Sequence, residues 1–424
     1  MHILFLSDNF PPETNAPASR LFEHAHHWVH LGHRVTVITC APNFPEGKVL
    51  PGYRNRWYAV EKMEGIQVVR VKTYITANEG FLKRTLDYMS FMVAGFIAGL
   101  FQKDIHVIAA TSPQFFSAVG AWLLAAVRRK PFVFELRDLW PAAIVTVGAM
   151  KDSLAIRLLE KLELFLYRQA AAVVALTQAF KTNLIQRGIS GDKIVVVLNG
   201  VDLECYRPRP KDKELLAHFS LEGKFVVGYL GTHGMSHRLE RVLEAAELLR
   251  EHEAIVFLFA GSGVERNKLI EMAENRRLSN VRFIPHQPKN RMPQLWSLCD
   301  VALIHLKNTP VFATVIPSKL FEAMGMGLPI LLALPEGEAT EIVSQTGAGV
   351  VVPPEQPAKL VAAIIELCNH PAQLEVLRQA SHNAAFQFSR TLQAEKMLNV
   401  FQAVIEGKGY CVGTLLDEKK PHHT

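Results

Sequence analysis

Short apolar runs rich in β-branched residues recur along this chain, and between them the apolar positions fall at helical spacing. In the first half the runs are Ile3–Leu6, Val35–Thr39, Ile66–Val71, Val107–Ala110, Phe132–Glu135, Val173–Leu176 and Ile194–Val197. In the second half they are Phe225–Leu230, Val256–Ala260, Val281–Ile284, Val301–Ile304, Ile330–Ala333 and Gly349–Val352. Strands that are apolar throughout and alternate with helices belong in parallel sheets covered on both faces. The alternation happens twice, which predicts an α/β fold of two doubly wound, Rossmann-like domains. Asn199-Gly200 is a turn signal, and Pro208, Pro210 and the charges after them read as an exposed linker. The domains expected are therefore 1–200 and 201–388. A last helical pattern, Thr391–Glu406, lies in a segment 389–406 expected to pack back on the first domain. The tail 407–424, rich in Gly, Lys and His, reads as flexible.

Composition narrows the class. The 424 residues are 49% hydrophobic and 20% charged, which is globular rather than disordered. The five cysteines (Cys40, Cys205, Cys299, Cys368, Cys411) are scattered and form no Cys-x-x-Cys pair, so a reducing compartment is expected. The opening "MHILFLSDNFPPE" has no basic leader and reads as a first strand, not a signal peptide. The longest apolar runs, Met89–Phe101 and Phe115–Val127, fall short of the ~20 residues that span a bilayer. Net charge is +6, and residues 1–206 hold 22 Lys and Arg against 17 Asp and Glu. That basic first half is either ordinary solubility charge or an attraction for a lipid surface or a diphosphate.

Open α/β sheets bind ligands beyond the carboxyl ends of their strands, so two such domains can face each other across a cleft. Three stretches follow strands in this way. In "VVGYLGTHGMSHRLERVLEAA", Val226–Ala246, a strand ends at Leu230 and a helix starts near Arg238. Gly231 and Gly234 allow close backbone approach, and helix-start amides suit an anion such as phosphate. His233, His237 and Arg238 add donors or cations; a plain tight turn is the competing explanation. In "PSKLFEAMGMGLPIL", Pro317–Leu331, Ser318 as a helix cap would leave free amides that, with Lys319, hold a phosphate. Glu322 lies four residues on, on the same face, where an acid suits a diol such as a ribose better than a second anion. In "FVFELRDLWP", Phe132–Pro141, Glu135, Arg137 and Asp138 either act on an acceptor or brace the loop as an ion pair.

Other features carry less. "KRTLDYMSFMVAGFIAGLF", Lys83–Phe101, is either a core helix or one lying in a membrane interface with basic flanks. His26 and His30 are four apart on one helix face, but no third ligand completes a metal site. Gly-x-Gly-x-x-Gly, the P-loop, Gly-x-Ser-x-Gly and His-Glu-x-x-His are all absent, leaving dehydrogenase, NTPase, hydrolase and zincin readings without support.

These stretches resemble a known family over nearly the whole chain. With "NFPPETNAPASR", "ATSPQFF", "LNGVDLECYRP", "VIPSKLFEAMGMGLPI" and "GEATEIV", in that order, they are similar to family 4 glycosyltransferases of the GT-B fold. Within it they resemble WbuB-type, fucosamine transferase-like enzymes of bacterial surface polysaccharide synthesis. The resemblance implies a retaining transfer of a sugar from a nucleotide donor, with no metal and no bound cofactor. It places the donor on the C-terminal domain and the acceptor on the N-terminal one. By position, Glu322 would hold the ribose, and Ser318 and Lys319 would meet the diphosphate, with Gly231, Thr232 and His233 opposite. His286 and Gln287 would lie near the base. Asn15, Ala16 and Arg20 would form a loop beside the phosphates and acceptor, and Arg137 and Asp138 would line the acceptor side. Lys319 and Arg238, with His237, would stabilise the leaving diphosphate.

There are departures. Val315 stands where the wider family has a first glutamate, and Thr232 stands where it has a diphosphate arginine. His237 or Arg238 would have to serve for the family's lysine, and a small residue is more usual at 238. The expected partners are a UDP-sugar carrying an aminosugar, a polyprenyl-diphosphate-linked saccharide and the inner face of a membrane, with no nucleic acid. A nucleotide-sugar epimerase of similar architecture and a non-catalytic nucleotide-sugar-binding protein are the alternatives. Donor incubated alone separates the first, and UDP release on adding acceptor lipid dismisses the second.

Overall fold

A computed structural model describes residues 1–44, 46–76, 81–112, 114–139 and 154–407. The chain forms two units, Met1–Leu198 with Gln393 onward, and Asn199–Leu392. In the first, β1 (His2–Leu6), β2 (Arg34–Cys40), β3 (Tyr58–Met63), β4 (Ile66–Val71), β5 (Val107–Thr111), β6 (Phe132–Leu136), β7 (Ala172–Ala175) and β8 (Ile194–Val196) form one sheet. Its order is β3-β4-β2-β1-β5-β6-β7-β8. All neighbours are parallel except β3 and β4, which make an antiparallel hairpin at one edge. The central strands are buried along their length, which is why they read as continuous apolar runs. β3 was not legible because its residues alternate between exposed and half-buried, as one-sided edge strands do.

In the second unit, β9 (Phe225–Leu230), β10 (Ile255–Ala260), β11 (Val281–Ile284), β12 (Val301–His305), β13 (Ile330–Ala333) and β14 (Gly349–Val352) run all parallel, in the order β11-β10-β9-β12-β13-β14. Strand order reverses between β9 and β12, and doubly wound sheets bind ligands at such a switch point. The loop after β9 and the end of β12 therefore flank the expected ligand crevice of this unit.

The last helix, Arg390–Glu406, carries the chain back into the first unit. Trp28 is fully buried there; its indole N–H donates to the Ala394 carbonyl at 2.8 Å and its ring meets Phe401 edge-on. Met397, Leu398 and Val400 complete a core shared with Ile3, Phe5 and Val37. The tail expected to fray begins where the described residues end.

Candidate functional site

β9 delivers the chain into the loop Gly231–Arg238. Gly231 has φ 139°, and a β-carbon on it would come within 2.9 Å of Lys319 Nζ. The loop after β10 lies against it so closely that a β-carbon on Gly261, at φ 145°, would stand 1.9 Å from the Gly231 carbonyl oxygen. Two glycines thus let two loops and a lysine share one small volume. Beneath them Tyr229 holds the arrangement from below. Its hydroxyl donates to the Thr232 carbonyl at 2.7 Å, and its ring lies 3.8 Å under Lys319 Nζ.

Lys319 comes from the helix Ser318–Gly325. Ser318 is not the cap of this helix. Pro317 is, in extended conformation, with no side-chain cap bond. Having no backbone N–H, Pro317 removes one of the donors that a helix start leaves unsatisfied. Ser318 is thereby the first helical residue, and the opening amides of the helix still lack intrahelical acceptors. Lys319 Nζ is buried and has no hydrogen-bond partner among the described residues. Burial pushes its ammonium down to about 7, opposed by the Glu322 carboxylate one turn on. A buried donor without an acceptor is costly, and an anion would supply what is missing.

That shift has a measurable sign. The folded Lys319 loses its proton near pH 7, whereas the unfolded one keeps it to about 10.4. Between those values the unfolded state binds more protons, so this residue makes the fold more stable as pH rises, by up to about 1.4 kcal/mol per unit. Denaturant unfolding at pH 7 and 9 should show this slope in the wild type, and Lys319→Met should flatten it.

Glu322 is half-buried and accepts a hydrogen bond from the Trp296 indole at 3.4 Å. Burial raises its carboxyl, while Trp296, Lys289, Lys319 and Arg390 pull it back. Neither Trp296 nor Tyr229 was found by pattern, because an aromatic in an apolar run gives no sign that its polar end faces a site.

The histidines are not cations. His233 is fully buried among Tyr229, Phe259 and Phe283, and burial, then Lys319, pushes it down to about 4. Its two ring nitrogens have no partner among the described residues. His237 is pushed to about 3 by the same causes. Both are neutral near pH 7 and offer hydrogen bonds, not charge; the expectation that His237 replaces a lysine fails for this reason. His305, at the end of β12, ties the loop down. Its Nδ1 lies 2.7 Å from the His237 carbonyl and so donates, while its Nε2 accepts from the Glu355 amide at 3.2 Å. No pattern singled it out, since it is the last residue of an apolar strand.

Arg238 caps the helix Leu239–Leu248 in the left-handed region, at φ 47°. A β-carbon there costs roughly 1–2 kcal/mol relative to glycine, so the loop holds Arg238 in a strained backbone conformation. Its guanidinium is paired with Glu240 at 2.9 Å and Glu355 at 3.2 Å. With two carboxylates on it, Arg238 braces its own loop and has less charge to offer a phosphate than Lys319.

The remaining expected residues are placed as follows. His286 is exposed after β11, and Gln287 lines a cavity of about 280 Å³ with Ile284, Arg291 and Leu295. In the first unit Asn15 caps the helix Ala16–His30 through a bond from the Ala18 amide, and Ala16 is exposed at its first position. Arg20 sits in the interior of its unit. It is 1% exposed, bonds Glu135 at 2.8 Å and donates to the Leu198 and Val197 carbonyls. Glu135 is thus a brace, held below the usual carboxylate range because Arg20 and Arg137 outweigh its burial. Arg137 is buried, Asp138 is exposed, and both amides point to Ser112 Oγ. Trp140 and Pro141, from the same stretch, lie outside the described residues. His26 and His30 stand ring to ring at 4.2 Å.

Comparison with known proteins concerns the chain as a whole. The family model "Glycosyltransferase Family 4" matches residues 18–205, and "Glycosyl transferases group 1" matches 211–385. A protein of Escherichia coli K12 assigned to colanic acid biosynthesis as the glycosyl transferase WcaI is 27% identical over 418 residues, covering 96% of this chain and all of its own. Among solved structures, sucrose-phosphate synthase from Thermosynechococcus elongatus superposes with a TM-score of 0.77 at 16% identity, covering 96% of this chain and all of that one. Anabaena HepE in complex with UDP-glucose superposes with 0.71 at 19%, covering 95% and 100%.

Proposed function

The chain belongs to the family 4 glycosyltransferases, and on that premise we propose that it transfers an aminosugar from a UDP-sugar to a polyprenyl-diphosphate-linked saccharide in surface polysaccharide synthesis. The single observation that carries this is the buried Lys319 ammonium at a helix start, without a hydrogen-bond partner among the described residues, beside the Gly231 loop and one turn before Glu322. An anion site next to an acid fits a nucleoside diphosphate, with its phosphates on Lys319 and its ribose hydroxyls on Glu322. The relative in colanic acid biosynthesis and the UDP-glucose held by the HepE structure support the pathway class and the nucleotide. The WbuB-type likeness of the motifs is what favours an aminosugar.

The chemistry follows from this donor set. The bond between the anomeric carbon and the diphosphate oxygen breaks, and the acceptor oxygen bonds to the same face of the sugar, retaining configuration. The leaving diphosphate takes the acceptor's proton. The protein's part is to hold the two reactants together and to stabilise charge as it grows on the diphosphate. Lys319 does this in place of a metal. The acceptor binds the first unit near Asn15 and Asp138, at the inner face of a membrane.

Titrating UDP, GDP and ADP during thermal unfolding tests the donor assignment. UDP at a hundred times its Kd should stabilise the fold by about 2.7 kcal/mol. No rise with any nucleotide removes the reading, and a rise with GDP alone moves the donor to a GDP-sugar.

A further inference from the structure

We propose that one outer face of the first unit, built from the helices Phe81–Leu100, Phe115–Arg128 and Leu154–Gln169, docks on an anionic lipid bilayer. The proposal deepens the lipid-linked acceptor reading and rests on it for its purpose, while its support comes from the surface itself.

The helix Phe81–Leu100 is apolar on two sides. Its inner side buries Phe91 and Ala98, and Gly95 lies against Leu6 and Ile38 of the sheet. Its outer side presents Leu86, Met89, Val93 and Ile97, each 43–56% exposed. Their spacing of three and four residues makes one stripe along the helix. A helix facing water on that side should be polar there.

The stripe continues onto its neighbours. Gly99 and Gly120 let the helix Phe115–Arg128 lie close. A β-carbon on Gly99 would stand 2.2 Å from Leu124, and one on Gly120 2.9 Å from the Met92 carbonyl oxygen. This second helix exposes Leu123 and Val127. Trp122 meets Phe165 edge-on at 4.9 Å, which joins the third helix, and there Leu154 and Leu158 are exposed. Single exposed apolar residues are ordinary, but a row across three adjoining helices marks an interaction surface.

Charge selects the occupant. Lys83 and Arg84 are exposed at one end of the stripe, Arg129 and Lys130 follow the second helix, and Arg157 and Lys161 are exposed on the third. Asp87, the one carboxylate on Phe81–Leu100, is partly buried. Basic groups at the ends of an apolar face repel a second copy of the same face and attract lipid phosphates, each worth about 1 kcal/mol at an anionic surface. Among the described residues no single helix is long and apolar enough to cross a membrane, so the face lies on the bilayer. The bent pair Pro357–Asn369 and Pro371–Phe388, which passes by length and composition, buries Leu360 and Ile364 in the core of the second unit.

Flotation of the full chain with vesicles tests this. The wild type should float with vesicles of phosphatidylcholine and phosphatidylglycerol far more than with phosphatidylcholine alone. The double variant Val93→Glu, Ile97→Glu, changed only at exposed positions, should bind at least tenfold less. Val376→Glu, an exposed apolar residue of the second unit, should bind as the wild type does. Each variant's melting curve and its shift with UDP are read alongside, so loss of fold is seen directly. Wild-type vesicle binding by the double variant overturns the proposal. So does a lipid-free dimer that this variant dissociates and vesicles leave intact, which would assign the face to a second copy. In either case a retained UDP shift leaves the transferase reading standing, whereas loss of that shift in the wild type removes the transferase reading by itself.

Discussion

Lys319→Ala should lower turnover by about a hundred- to a thousand-fold, the usual loss when one preorganised donor to developing negative charge is removed. Donor affinity should fall much less. On the proposed assignment the ground-state diphosphate charge would be spread over several oxygens that also meet helix amides, whereas breaking the glycosidic bond would concentrate it beside the ammonium. Removing Lys319 also removes a buried ammonium with no hydrogen-bond partner among the described residues, so the variant should fold at least as well as the wild type near neutral pH. The measurement is UDP release with lipid-linked acceptor, beside calorimetric titration of UDP. Turnover close to wild type ends the assignment of Lys319 to the leaving group. Equal losses in affinity and turnover reduce it to a binding residue.

Glu322→Ala should weaken UDP binding by about ten- to a hundred-fold, since a hydrogen bond to a charged group is worth ~1.5–3 kcal/mol. The sharper comparison uses 2′-deoxy-UDP. The wild type should prefer UDP to it, and the variant should bind both alike, because the lost partner is the ribose and not the phosphates. A preference kept by the variant places the ribose elsewhere. Trp296, whose indole reaches the Glu322 carboxylate at 3.4 Å, should act through it, so Trp296→Phe should cost less than removing Glu322.

The two sheets were legible because parallel strands covered on both faces carry largely apolar, β-branched runs, and such a run marks each of the described strands except β3. β3 escaped because an edge strand needs only one dry side. The stretch from Ser318 to Glu322 was legible for another reason. Charged residues in an otherwise apolar helix are rare enough to draw notice. Arg20 shows the limit. From sequence it stands in a loop-and-helix motif, and nothing local tells that Glu135, over a hundred residues away, will meet it in the core. Arg238 shows a subtler limit. Its charge was visible, but its left-handed backbone and its two acidic partners exist only in three dimensions.

The return of the chain to its first unit has a consequence for biosynthesis. Trp28 leaves the ribosome 366 residues before Ala394, which with Phe401 covers it. The second unit, Asn199–Leu392, is in effect spliced into the first and must be made before the first can close. Nascent chains therefore carry an open apolar patch around Trp28 while the second unit is being made, and any release before residue 393 leaves that patch for chaperones or proteases to find.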